Sequence, residues 1–132
     1  AGTVATPFER RSYGQELALC QRYCYGQYNS TGQAYYFFGM GFFTSSGGAN
    51  AFGTTIFPVT MRAKPTGTFS AANTFFVDPG VTNFTTTTLD QTGVNAAAVQ
   101  LSGGSGGGSA PAGGRWLSNN TSTAYAIWSA EL

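Results

Sequence analysis

The chain has 132 residues, of which 8% are charged, 15% are aromatic and 19 are glycine, and its net charge is +1. That length fits one domain with a modest core, and so few basic residues exclude a phosphate-binding nucleic-acid surface. Histidine is absent, which removes Ser-His-Asp and Cys-His nucleophilic sites and every imidazole metal ligand. A surface this poor in charge is unusual for a monomer. It points either to burial in an oligomer or to a face of hydroxyls and amides suited to sugars.

The chain begins at Ala1 and not at Met, which reads as a fragment or a processed product. Residues 1–11, "AGTVATPFERR", hold one proline and no periodicity, and read as an extended arm closing an upstream module. Ser12 and Gln15 have the spacing of a capping box. They predict a short helix within 12–26, running from Tyr13 to Tyr25 and stopped by Gly26. Tyr13, Leu17, Cys20 and Cys24 recur at intervals of a heptad seam, and Leu19 and Tyr23 make a second stripe. Either the two stripes face two surfaces, the chain's own domain and a neighbouring copy, or a single core covers both. Cys20 and Cys24, one helical turn apart, are badly placed for a bridge and too few for zinc. They read as small buried apolar residues, which fits assembly in a reducing compartment.

From residue 27 to 132 the pattern is that of strands. "QAYYFFGMGFF" (33–43) predicts a strand bent or bulged at Gly39 and Gly41, with Phe37, Phe38, Phe42 and Phe43 in the core. "TTIFPVTMR" (54–62) predicts an edge strand carrying Pro58, with Phe57 in the core. Strands follow at 66–71, 74–78 (with core Phe75 and Phe76), 81–89 and 94–102, with turns at Ala72–Asn73 and Pro79–Gly80. "SGGSGGGSAPAGG" (102–114) has no side chains to bury and predicts a mobile loop, functional or a plain spacer. In 123–132, Tyr125, Ile127 and Ser129 alternate with Ala124, Ala126, Trp128 and Ala130, predicting a strand with one buried face. The fold class expected is mainly β: an antiparallel β-sandwich, jelly-roll-like, preceded by an arm and one short helix. No apolar stretch is long enough to span a membrane, so insertion is not expected.

Three phrases, in order, carry a resemblance. "AGTVATPFERRSYGQELALCQRYCYG" (1–26) is similar to a junction in tail fibres and tail-tip proteins of tailed bacteriophages, where it closes one module and opens a C-terminal domain. "FPVTMRAKPT" (57–66) and the closing "WSAEL" (128–132) resemble phrases of those same domains. Together they cover about a third of the chain and both its ends, while 67–122 match nothing recognisable. Cys24 departs from the pattern, standing where the family often has a second aromatic. The resemblance implies a distal fibre domain of the virion, homotrimeric and assembled in the bacterial cytoplasm. It would bind a host-surface glycan or protein, with the helix seam (Tyr13, Leu17, Cys20, Cys24) at the trimer axis beside the upstream fibre modules.

Sugar recognition uses aromatic faces with amides and hydroxyls beside them. The candidates are Tyr28, Tyr35, Phe52, Trp116 and Tyr125, with Asn29, Asn50, Asn73, Asn119 and Asn120. Arg115, Trp116, Asn119 and Asn120, just past the glycine-rich loop, form the first choice, though Trp116 also reads as a core residue of the strand after that loop. Catalysis is not expected. Glu9, Glu16, Asp78, Asp90 and Glu131 are the only carboxylates, and none pairs as glycosidic cleavage requires. Asp90 with Gln91 and a carbonyl would make at most a weak calcium site that nothing else in the sequence favours, and no cofactor is expected. The alternatives to a receptor-binding tip are a trimerisation cap without affinity for the host and, behind it, a polysaccharide depolymerase.

Overall fold

The computed structural model describes residues 11–29, 34–44, 47, 49–70, 75–77, 82–106, 112–119, 121 and 123–131. The arm at 1–10, the turns at Ala72–Asn73 and Pro79–Gly80, Asp78, Asn120 and the glycine-rich stretch 107–111 lie outside them, as do the side chains of Phe75 and Phe76. Among the described residues one helix, α1 (Tyr13–Gln21), precedes eleven strands. They are β1 (Cys24–Tyr28), β2 (Phe37–Phe43), β3 (Asn50–Ile56), β4 (Thr66–Phe69), β5 (Phe75–Val77), β6 (Thr82–Asn83), β7 (Thr86–Thr92), β8 (Ala96–Ser102), β9 (Ser105–Gly106), β10 (Gly113–Ser118) and β11 (Tyr125–Ser129). The protein is mainly β, with two antiparallel sheets.

The capping box is formed as the sequence predicts: Gln15 N donates to Ser12 Oγ at 3.3 Å, and Ser12 N donates to Gln15 Oε1 at 3.1 Å. The helix stops earlier than expected, with Arg22 as its C-cap. The reason is competition for its last carbonyls. Arg62 N donates to Arg22 O and Ala130 N to Tyr23 O, both at 2.7 Å, which draws the chain out of the helix. The Arg62 guanidinium also lies over the Tyr23 ring, 5.4 Å from its centroid. Cys24 therefore opens β1, opposite Ser129, and Gly26 lies inside that strand. The four-membered seam is cut to Tyr13, Leu17 and Cys20. No helix residue is buried; Ala18 and Gln21 are the ones half-covered by the rest of the chain. Both cysteines are free and exposed, against the expectation of burial.

The smaller sheet has the order β1-β11-β4 and the larger β7-β8-β3-β2-β10-β5-β6-β9. The larger sheet cannot be flat. Two residues separate β6 from β7, and two separate β8 from β9. Three chain steps reach at most about 11 Å, whereas β6 and β7 stand six strand spacings apart, roughly 29 Å if flat. Residues 82–106 thus form one bent hairpin whose outer half pairs with β5 and whose inner half pairs with β3, and the sheet wraps round on itself. Gly103, at φ 68°, makes one of the bends. This explains why "VTNFTTTTL" is two strands and not one: Phe84, fully buried, sits at the bend and packs 6.4 Å from Phe43. It also puts Ser105 and Gly106, expected in a loop, into β9.

The bulge expected near Gly39 is present. Trp116 pairs with Gly39 and Leu117 with Phe37, so Phe38 is the extra residue. The bulge turns Phe38 into the core and leaves Phe37 half-exposed. It also takes Phe38 O out of the ladder, and Gln27 Nε2 and Thr55 Oγ1 each donate to that carbonyl at 3.0 Å. Two buried polar side chains are thereby accounted for, and they join β1 of the small sheet to β2 and β3 of the large one. An aromatic contact also joins the sheets: Phe69 of β4, 5.3 Å from Trp128 within the small sheet, lies 6.4 Å from Trp116 of the large one. Phe38, Phe43 and Phe57 are core as expected. Phe42 is not. It faces outward from β2 against Phe52 of β3, at 5.6 Å. Strand β3 also starts earlier than predicted and ends before Pro58.

Candidate functional site

Strand β1 ends at Tyr28, directly opposite Tyr125 at the start of β11, with the ring centroids 6.3 Å apart. Gly26, two residues back on the same face, leaves the space that the Tyr28 ring occupies; a Cβ there would collide with it. Tyr28 is half-exposed and Tyr125 partly buried beneath it. Ser70 N donates to Tyr125 O at 3.0 Å, holding β4 to the same end.

The next residue, Asn29, is the pin of this end. It is buried, its N donates to Ala124 O at 2.9 Å, and its Nδ2 donates to Thr121 O at 2.6 Å and Ser118 Oγ at 3.4 Å. Ser118 in turn receives Tyr36 N on its hydroxyl and donates its own N to Tyr36 O, each at 2.8 Å. Thr121 Oγ1 donates to Asn119 O at 2.9 Å. Residues 28–29, 35–36, 118–119, 121 and 124–125 are therefore tied to one another. Tyr35, 54% exposed, stands on that frame beside Tyr36. Asn29, expected as a ligand amide, instead fixes the scaffold.

The cluster expected around Trp116 is split. Trp116 is fully buried, stacked 5.4 Å from Phe38, so it is a core residue and not a contact residue. Its β10 neighbour Arg115 is exposed but pairs across from Met40, on the outer face of the wrapped sheet and away from the tyrosines. Asn119 is partly buried at the tyrosine end, and Asn120 and Asn73 lie outside the described residues. Asn50 sits at the far end of β3, where its carbonyl accepts from Thr44 N at 3.0 Å. Phe52 faces outward with Phe42.

Chemically, the tyrosine end offers ring faces and phenol hydroxyls held on a rigid frame, the groups that meet sugar C–H and O–H. Among the described residues no cluster of acidic or thiol groups could hold a metal. Glu16, Asp90 and Glu131 sit on α1, on β7 and after β11. The chain's other prominent feature was missed in the sequence: Phe37, Met40, Phe42 and Ile56 are exposed on β2 and β3. Strict alternation in "FGMGFF" does assign Met40 and Phe42 to one face and Phe43 to the other, and that signal was available. No protein-family model, curated protein or solved structure matches the chain.

Proposed function

We propose that this is the distal domain of a bacteriophage tail fibre, a homotrimeric, jelly-roll-like sandwich that binds a glycan on the host surface through its tyrosine end. Two kinds of observation support the reading. The phrases at 1–26, 57–66 and 128–132 resemble fibre-tip domains. The structural observation that carries it is the frame built on buried Asn29, which holds Tyr28, Tyr35 and Tyr125 where a saccharide can reach them. On this reading the domain is a virion component that acts in adsorption and performs no catalysis.

The test is binding of the domain to host cells and to a glycan array. Tyr28→Ala is expected to weaken binding about tenfold, as truncation of an anchor aromatic does, with the melting temperature unchanged. A well-folded domain with no affinity for host cells overturns the receptor reading. That result would favour the trimerisation cap, which the larger apolar exposure on α1 and β2–β3 also supports.

A further inference from the structure

The tyrosine end opens onto the outer face of the small sheet. Strands β1, β11 and β4 turn Gln27, Ala126, Trp128 and Phe69 inward, so alternation sends Tyr28, Tyr125, Ile127 and Thr68 outward. Register sets the outer face in rows: Tyr28 beside Tyr125, then Gly26 beside Ile127 and Thr68, then Cys24 beside Ser129 and Thr66. On this face the residues of β1 and β4 are exposed and those of the central β11 half-covered. From Cys24 to Tyr28 the face is about 14 Å long.

Its chemistry is that of hydroxyls around an apolar centre. The phenol end of Tyr28 leans back along β1 over Gly26: a Cβ there would stand 3.0 Å from Tyr28 Cζ and 3.1 Å from its hydroxyl oxygen. That brings the ring toward Ile127, the cross-strand partner of Gly26, while Tyr28 keeps 51% of its surface open. Thr66 Oγ1 donates to Ser129 O at 3.3 Å, which leaves the lone pairs of that hydroxyl as acceptors. Thr68 adds a second hydroxyl in the row of Ile127. No residue of β1, β4 or β11 is charged. Arg22, Lys64 and Glu131 each come two residues past the Cys24–Ser129–Thr66 row, so the length of the face separates them from Tyr28. That length exceeds the screening distance of about 8 Å at physiological salt. Strand β7, which borders β4, brings the exposed carboxylate Asp90.

We propose that this face, from Tyr28 and Tyr125 to Ile127 and Thr68, binds an uncharged saccharide and rejects acidic ones. The proposal rests on the receptor reading above and narrows it to a ligand class and a footprint. A sugar ring presents a C–H face and a rim of hydroxyls. Tyr28, Tyr125 and Ile127 match the first; Thr66, Thr68 and the phenols match the second. A sialate, uronate or phosphate needs a cation to offset its desolvation, and the three strands supply none. Asp90, at the β4 edge, accepts from sugar hydroxyls and repels an anion. A second copy of the chain is a poor occupant, because one aliphatic side chain among hydroxyls is not the apolar core of a homo-oligomer contact.

Calorimetry on the 132-residue chain tests it. The probes are oligosaccharides of glucose, galactose and N-acetylglucosamine, beside the same sugars bearing a uronate, a sialate or a phosphate. Binding is expected in the neutral series alone, with an affinity that changes less than about twofold between about 0.1 M and about 1 M salt. Thr68→Ala is expected to weaken it about fivefold, and Gly26→Ala likewise, by pushing the Tyr28 ring off its seat. Both positions are exposed on edge strands, and thermal melting checks that the fold stands. Host-cell binding that depends on Tyr28 but extends only to the acidic probes, or to none of them, overturns the ligand class and leaves the receptor reading standing. Neutral binding that is lost in Tyr28→Ala but indifferent to Thr68→Ala and Gly26→Ala overturns the footprint. If Thr68→Arg lowers the mass seen by light scattering, the face is a contact between copies and the whole proposal fails. A folded chain that binds neither host cells nor any probe overturns the receptor reading with it.

Discussion

Gly53 gives the most direct test of how the core is packed. It lies mid-strand in β3, opposite Gly41 of β2 and Val99 of β8, where strand propensity alone favours a larger residue. The reason for glycine is the indole of Trp116. A Cβ on Gly53 would stand 2.8 Å from two of its ring carbons and 3.1 Å from a third, against a carbon–carbon optimum of about 3.5–4.0 Å. The indole has nowhere to go, since Trp116 is fully buried with Phe38 at 5.4 Å and Phe69 at 6.4 Å. Overpacking of this kind costs about 1–3 kcal/mol. The stiffer backbone of alanine returns roughly 0.5–1 kcal/mol. Gly53→Ala should therefore lose about 1–2 kcal/mol and melt several degrees lower. Denaturant titration followed by tryptophan fluorescence measures it. The penalty should shrink in a Trp116→Leu background, which leaves room for the methyl, and the cycle isolates the clash. If Gly53→Ala is as stable as the parent, the indole does not lie over β3 and the reasoning fails.

Three other outcomes are expected. Ser12→Ala removes the capping box and should cost α1 about 1 kcal/mol, seen as faster amide exchange in 15–17 with strand protection unchanged. Asn29→Ala loses the bonds to Thr121 and Ser118, should destabilise by about 2–3 kcal/mol, and should loosen 118–125 first; unchanged exchange at Tyr125 would contradict its role as the pin. Burial, and secondly the neighbouring Tyr36, raise the Tyr25 phenol above its ordinary 10.0. Below that pH both the folded and the unfolded chain hold the proton and the stabilisation is complete. As pH climbs past it the unfolded chain loses its proton first, so stability falls. Tyr25→Phe should flatten this part of alkaline unfolding, and an identical alkaline midpoint in parent and variant would refute it.

What could be read in the sequence was the local part of the fold. The capping box at Ser12 and Gln15 needs only four residues to specify it, and the alternation of Ala124, Ala126, Trp128 and Ala130 names the buried face of β11 directly. What could not be read was decided at long range. The helix appeared to run to Gly26, but the carbonyls of Arg22 and Tyr23 are taken by Arg62 and Ala130, residues about 40 and 107 positions away. Residues 81–89 alternate like one strand, and only the closure of the sheet splits them at Phe84. The glycines of β2, β3 and β10 resemble loop punctuation, yet Gly53 lies under Trp116, and Gly39 lies so close to the Thr54 carbonyl that no Cβ would fit. At the site, Tyr28, Tyr35 and Tyr125 were nameable as aromatics near loops. Their union was not, because it depends on Asn29 reaching residues 118–124.

The most direct test is the mass of the 132-residue chain in solution at micromolar concentration. Light scattering should give three times the 13.8 kDa chain mass, with α1 shielded from hydrogen exchange relative to the tyrosine end. A stable species of 13.8 kDa, with α1 exchanging freely, would contradict it.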